Sequence, residues 1–212
     1  MSDSLPRIWI ITDPDHPDGP VAPLREALEG CPEGLVGVQL RAPGASGREL
    51  TRWGRELRAI TERAGCALTI NRRADVAKIV SADGVHLPER GLRPSVLRAH
   101  WPELGMIGAS RHDGDGLCEA ERDGAHYAFL SPVFEVPGKG GPIGIEGLRA
   151  AIDDVGIPTY ALGGITAEAL RQLLDAGAHG VAIRRAIYGS AEPRETLRRL
   201  LRELDKHLPR VE

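Results

Sequence analysis

Gly163 and Gly164 lie just before Thr166, and the pair Arg184–Arg185 follows about one helix and one strand later in the 212-residue chain. Adjacent glycines let an anion approach backbone N–H groups, and a helix opened by Thr166 would add a favourable dipole. Adjacent arginines can make bidentate contacts to phosphate oxygens. The structural alternative is a tight turn beside arginines that salt-bridge neighbouring helices. Phosphate is favoured because both signals follow successive strands. Gln39 and Arg41 alternate along one apolar segment, so both side chains share a face, and an arginine buried there needs an anionic partner. A ligand or a buried carboxylate would serve equally. Ser110 and His112 have the same spacing of two and suit a nucleophile and its base, yet no acidic orienter stands out, which argues against acyl transfer. His86 reads as a core histidine satisfied by backbone. The stretch 135–144 (EVPGKGGPIG) carries Lys139 at its middle and is roughly twice an ordinary βα loop. It reads either as a lid over an anionic substrate or as an ordinary mobile loop.

Elements must gather these residues. Short apolar segments recur at Arg7–Thr12, Val36–Arg41, Ala67–Asn71, Gly84–Leu87, Met106–Ser110, Tyr127–Ser131, Thr159–Leu162 and Gly180–Ile183. Near-continuous apolar runs this short are typical of parallel strands buried on both faces. Between them run segments with helical apolar spacing. In the last, Leu197, Leu200, Leu201, Leu204 and Leu208 share one face while Arg198, Arg202 and Asp205 point outward. Thr166 is the expected N-cap of the helix carrying Leu170, Leu173 and Leu174, and Gly177 its expected stop. The strings SADGVHL, RDGAHYAFL and DAGAHGVAI repeat a helix end, a small-residue turn and a strand. Eight strand–helix alternations without a linker predict a single-domain (β/α)8 TIM barrel over residues 1–212. In that fold the strand C-terminal ends carry the site, which is where Gln39, Arg41, Asn71, His86, Ser110, His112, Ser131, Gly163, Gly164, Arg184 and Arg185 fall.

Composition narrows the partners. A net charge of −3 leaves no basic stripe for nucleic acid. No apolar run approaches the roughly 18 residues needed to span a bilayer, and the N-terminus lacks a signal-peptide pattern, so a cytoplasmic location is expected. Cys31, Cys66 and Cys118 are widely spaced and form no zinc pattern, as reduced core or surface residues would. Nothing excludes a homo-oligomer.

The strings IITD (10–13), VQLR (38–41), TIN (69–71), ADGVHL (82–87), GASRH (108–112), SPVFE (131–135) with Lys139, LGGIT (162–166) and DAGAHGVAI (175–183) occur in order along nearly the whole chain. Together they resemble the thiamine phosphate synthase family and its close relative, the thiazole tautomerase. The resemblance implies the same barrel, and an enzyme that joins a pyrimidine diphosphate to a thiazole phosphate with magnesium present, expelling pyrophosphate. It implies that Gln39, Arg41 and Lys139 face the diphosphate, that Asn71 lies beside the metal, and that Ser110 and His112 lie near the pyrimidine. Gly163, Gly164 and the residues around Arg185 would hold the thiazole phosphate. Arg41, Lys139 and His112 are thus the candidate catalytic residues. Gln39, Asn71, Arg72, Ser110, Gly163, Gly164, Arg184 and Arg185 are the candidate substrate-binding ones.

Several positions depart from the family pattern. Ala42-Pro43 stands where Glu-Lys is usual, and Arg72 where a metal-binding Asp is usual. The second metal Asp falls within Pro88-Glu89-Arg90-Gly91, where Glu89 is the sole acid. Val136 and Gly138 replace threonines, Arg185 replaces a phosphate-binding serine, and the tautomerase's histidine falls at Pro132. No residue is therefore assigned as a metal ligand, and Arg72 and Arg90 either replace magnesium as fixed cations or mark a lost diphosphate chemistry. Two alternatives accompany the synthase reading. One is a non-catalytic barrel that binds thiamine or thiazole phosphate. The other is a metal-free isomerase of a phosphorylated heterocycle, with His112 or Glu135 as base.

Overall fold

The computed structural model describes residues 5–138 and 140–207. Eight parallel strands close a barrel in chain order: β1 (Ile8–Ile11), β2 (Val36–Leu40), β3 (Ala67–Asn71), β4 (Gly84–Leu87), β5 (Met106–Arg111), β6 (Tyr127–Leu130), β7 (Thr159–Leu162) and β8 (Gly180–Ile183). Closure is direct, with Ile8 opposite both Val36 of β2 and Val181 of β8. The helices alternate with the strands: α1 (Ala22–Ala27), α2 (Gly47–Arg63), α3 (Ala74–Ile79), α4 (Pro94–His100), α5 (Gly114–Arg122), α6 (Gly144–Ile152), α7 (Leu170–Asp175), α8 (Arg185–Tyr188) and α9 (Pro193–Asp205). The expected strands were thus right in number and order, with ends differing by one residue at most. Thr12 still continues the β1–β2 ladder through its N–H to the Gln39 carbonyl at 3.0 Å.

The period of two divides each strand between two cores. Ile8 and Ile10 pack outward under the helices, while Trp9 and Ile11 point into the lumen with Tyr127, Phe129, Tyr160 and Ala182. Trp9 stacks on Tyr127 at 5.2 Å between ring centroids. Gly37 makes this possible, because a Cβ there would lie 2.6 Å from the Trp9 ring. The aromatic plug fills the barrel below its upper rim, so polar lumen residues gather at the strand C-termini.

Local chemistry sets the element boundaries. Ser46 caps α2 in a reciprocal box with Glu49, and α2 buries Leu50, Leu57 and Ile60 against the sheet. The three repeated turns are one device. Ser81, Gly124 and Gly177 follow α3, α5 and α7 in left-handed backbone conformations, turning each chain segment into its next strand. Gly177 is the stop the sequence suggested. Thr166 is not the expected cap: α7 begins at Leu170, its N-cap is Ala169, and residues 167–169 form a turn. The last helix buries Leu197, Leu200 and Leu204 and half-buries Leu201, while Leu208 lies outside the described residues.

Candidate functional site

Gln39, Asn71, His86 and Ser110 come from β2, β3, β4 and β5, and the barrel twist brings them onto one lumen-facing polar layer. Gln39 Nε2 donates to Asn71 Oδ1 at 3.2 Å. Gln39 is buried, and its Oε1, itself buried, has no partner among the described residues. His86 Nε2 meets Ser110 Oγ at 2.9 Å, and its Nδ1 meets the Tyr127 hydroxyl at 3.3 Å. His86 is thus a buried histidine as expected, but side chains rather than backbone satisfy it. Burial, then the charges of Arg111 and Arg41, lower its pKa to about 3, so it is neutral near pH 7.

Ser110 is therefore partnered with His86 and not with His112. The strand ends at Arg111, and His112 turns out to the surface. There its Nδ1 contacts the Ser131 carbonyl and its Nε2 lies 3.7 Å from Glu89 Oε2. The Ser–His pairing inferred from spacing does not form, because the period of two stops where the strand stops. Arg111 points away from the lumen, with Nε on the Gly116 carbonyl and Nη1 on that of Ser110.

Arg41 begins the loop after β2 and is half-buried. Thr12 Oγ1 pins its backbone by accepting from the Arg41 N–H at 2.8 Å and donating to the Arg41 carbonyl at 3.0 Å. Burial lowers the Arg41 pKa, nearby Arg184 and Arg72 lower it further, and Asp13 opposes them. Asp13 Oδ2 in turn lies 3.8 Å from Arg184 Nε. Three guanidinium groups thus share a corner with one carboxylate. Thr12 and Asp13 were not singled out from residue type, although both lie in the IITD string at the end of β1.

The glycine corner keeps its backbone but not its helix. Gly163 and Gly164 have φ of 106° and 65°. A Cβ at Gly164 would lie 2.7 Å from the Phe134 Cβ, and one at Gly163 would lie 3.0 Å from the Pro132 Cα. Glycine is required here for conformation and for close packing of the loop after β6. With α7 starting at Leu170, the helix-dipole contribution expected from Thr166 is absent from this corner. Arg184 and Arg185 do not form a paired clamp: Arg184 turns to Asp13, while Arg185 is exposed in the first turn of α8. Lys139 lies outside the described residues.

The residues at the place the resemblance gives to magnesium do not fit that ion. Magnesium prefers carboxylate oxygens in near-octahedral array. Here Asn71 Oδ1 accepts from Gln39, Arg72 is a cation, and Glu89 faces His112. Among the described residues no group of three or more His, Cys, Asp or Glu gathers. A cavity of about 860 Å³ lies elsewhere, between the C-terminal ends of α1 and α2, and is remote from these groups.

Comparison with known proteins agrees with this architecture. The family model described as thiamine monophosphate synthase matches residues 8–187. A putative thiamine-phosphate synthase 2 of Aquifex aeolicus is 38% identical over 181 residues, covering 84% of this chain and 95% of that protein. The thiamine-phosphate synthase of Pyrococcus abyssi is 36% identical, covering 93% and 96%. Among solved structures, thiamine phosphate pyrophosphorylase from Pyrococcus furiosus superposes with a TM-score of 0.87 at 33% identity, covering 96% of this chain and 97% of that one.

Proposed function

The chain belongs to the thiamine monophosphate synthase family, and from that premise we propose that it joins a pyrimidine diphosphate to a thiazole phosphate at the strand C-termini, releasing pyrophosphate. The observation that carries the assignment of this place is the excess of positive charge around Arg41, next to the Gln39–Asn71 amide pair. As the bond to the diphosphate breaks, negative charge grows on the departing oxygens. Fixed guanidinium groups in a partly desolvated corner stabilise that charge more than they stabilise the bound substrate.

The other residues bind and orient. Gln39 fixes the Asn71 side chain through their amide hydrogen bond, and the neutral His86 holds the Ser110 hydroxyl. His112, fixed by the Ser131 carbonyl, lies at the edge of the same ring of loops. The backbone N–H groups around Gly163 and Gly164 would take the thiazole phosphate, with Arg185 near the mouth. Most of the rate enhancement in this scheme comes from holding two reactants in line and neutralising the leaving group.

Incubating the full chain with both substrates, with and without magnesium, tests the reading. Thiamine phosphate and pyrophosphate should appear in equal amounts. Absence of both products under either condition would overturn it, and tight substrate binding without turnover would favour the binding barrel instead.

A further inference from the structure

The synthase reading brings a diphosphate to the rim. Resting on that reading, we propose that Arg72, together with Arg41, holds the diphosphate directly, so that this site takes the anion without a divalent cation. Arg72 follows β3 with φ of 66°, a left-handed conformation uncommon outside glycine, asparagine and aspartate. Its N–H donates to the His86 carbonyl at 2.9 Å, which locks that conformation to the neighbouring strand. Backbone strain of this kind persists where the surroundings over-determine it, and it clusters at ligand sites.

The side chain is exposed at the rim and makes no ion pair among the described residues. Its neighbour Arg73 behaves in the opposite way, gripping Asp75 through Nε at 2.9 Å and Nη2 at 2.6 Å. Asp75 is thereby occupied. Two further carboxylates after β1 and β4 face other cations, Asp13 lying 3.8 Å from Arg184 and Glu89 3.7 Å from His112. Exposed Arg72 acts on half-buried Arg41 as a like charge, and guanidinium groups gathered at the rim are stabilised by a polyanion between them. A guanidinium stays protonated and matches phosphate oxygens in bidentate geometry. Placed where a metal-binding acid would otherwise be expected, it repels a cation and attracts the cation's ligand.

Titration calorimetry of the full chain with inorganic pyrophosphate in EDTA, repeated with excess magnesium, tests the proposal. Binding is expected in EDTA, and excess magnesium, which ties up pyrophosphate as its magnesium complex, should weaken it or leave it unchanged. Arg72→Asn, which tolerates the left-handed backbone, should weaken it by about ten-fold or more, the loss of one charge-assisted pair. Arg72→Lys should recover part of that loss, and Arg73→Asn should leave affinity unchanged. Pyrophosphate binding that requires magnesium overturns the proposal, as does unchanged affinity in an Arg72→Asn protein that unfolds at the wild-type temperature. The condensation assay reads the enzyme assignment separately. Turnover that demands magnesium leaves the synthase reading standing and removes the arginine site. Pyrophosphate binding in EDTA without any condensation does the reverse.

Discussion

His86 sits at the centre of the polar layer with one ring nitrogen on Ser110 and the other on Tyr127. Its pKa of about 3 lies below the ordinary 6.5, so the unfolded chain takes up the proton first as pH falls. The stability contributed by the neutral ring is complete above about pH 6.5 and is lost on descending toward 3. Between pH 7 and pH 5 this one residue should cost about 2 kcal/mol of unfolding free energy. Urea titrations at both pH values should show His86→Gln losing less over that interval than the wild type. Equal losses would mean that His86 does not titrate as argued. The same burial removes His86 as a proton carrier near neutrality. Cys31 and Cys66 show a related effect, for they are far apart in sequence yet their thiols are neighbours, and mutual contact and burial raise the Cys66 pKa.

At the scale of elements, the loop after β7 shows what a glycine pair does when no helix follows at once. Gly164 has φ of 65° and presses its backbone against Phe134 and the Glu135 carbonyl, so the loops after β6 and β7 are fitted together at this point. Gly164→Ala should cost about 1–3 kcal/mol through backbone strain and overpacking. In the condensation assay it should raise KM for the thiazole phosphate while leaving KM for the pyrimidine diphosphate near its starting value. A rise in both, or in neither, would detach this loop from the phosphate. The Thr166 cap failed for a reason at this scale. A threonine before an apolar period marks the start of a helix only if the next three residues adopt helical angles, and here they close a turn first.

The whole barrel depends on a filled lumen. Trp9 stacks on Tyr127 and meets Tyr160 edge-on, with ring centroids 6.4 Å apart in the second pair. Trp9→Ala should lower stability by about 3–5 kcal/mol, the range for emptying a large aromatic site. Urea denaturation should show the midpoint fall with the slope unchanged, as the same surface is exposed on unfolding. Because the plug supports the floor of the polar layer, binding of pyrophosphate should weaken in the same variant. Among the described residues no helix is long and apolar enough to cross a membrane.

Strand number and order were legible in the chain because they follow from local periodicity. Alternation put Gln39 and Ser110 on lumen-facing positions, and eight strand–helix units pointed to a closed barrel. Family strings extended that to the reaction. Pairings between strands were not legible, because they depend on register and side-chain reach. Spacing joined Ser110 to His112 along one strand, whereas the barrel joined Ser110 to His86 on the neighbouring one. Adjacency in sequence also joined Arg184 to Arg185, but the chain turns into α8 between them, and Asp13 from the end of β1 captured the first. Residue types and their order thus determined the fold and the kind of chemistry. Which charges meet at the rim, and that Arg73 rather than Arg72 is neutralised by Asp75, was decided only when the strands closed and fixed which carboxylates lie within reach.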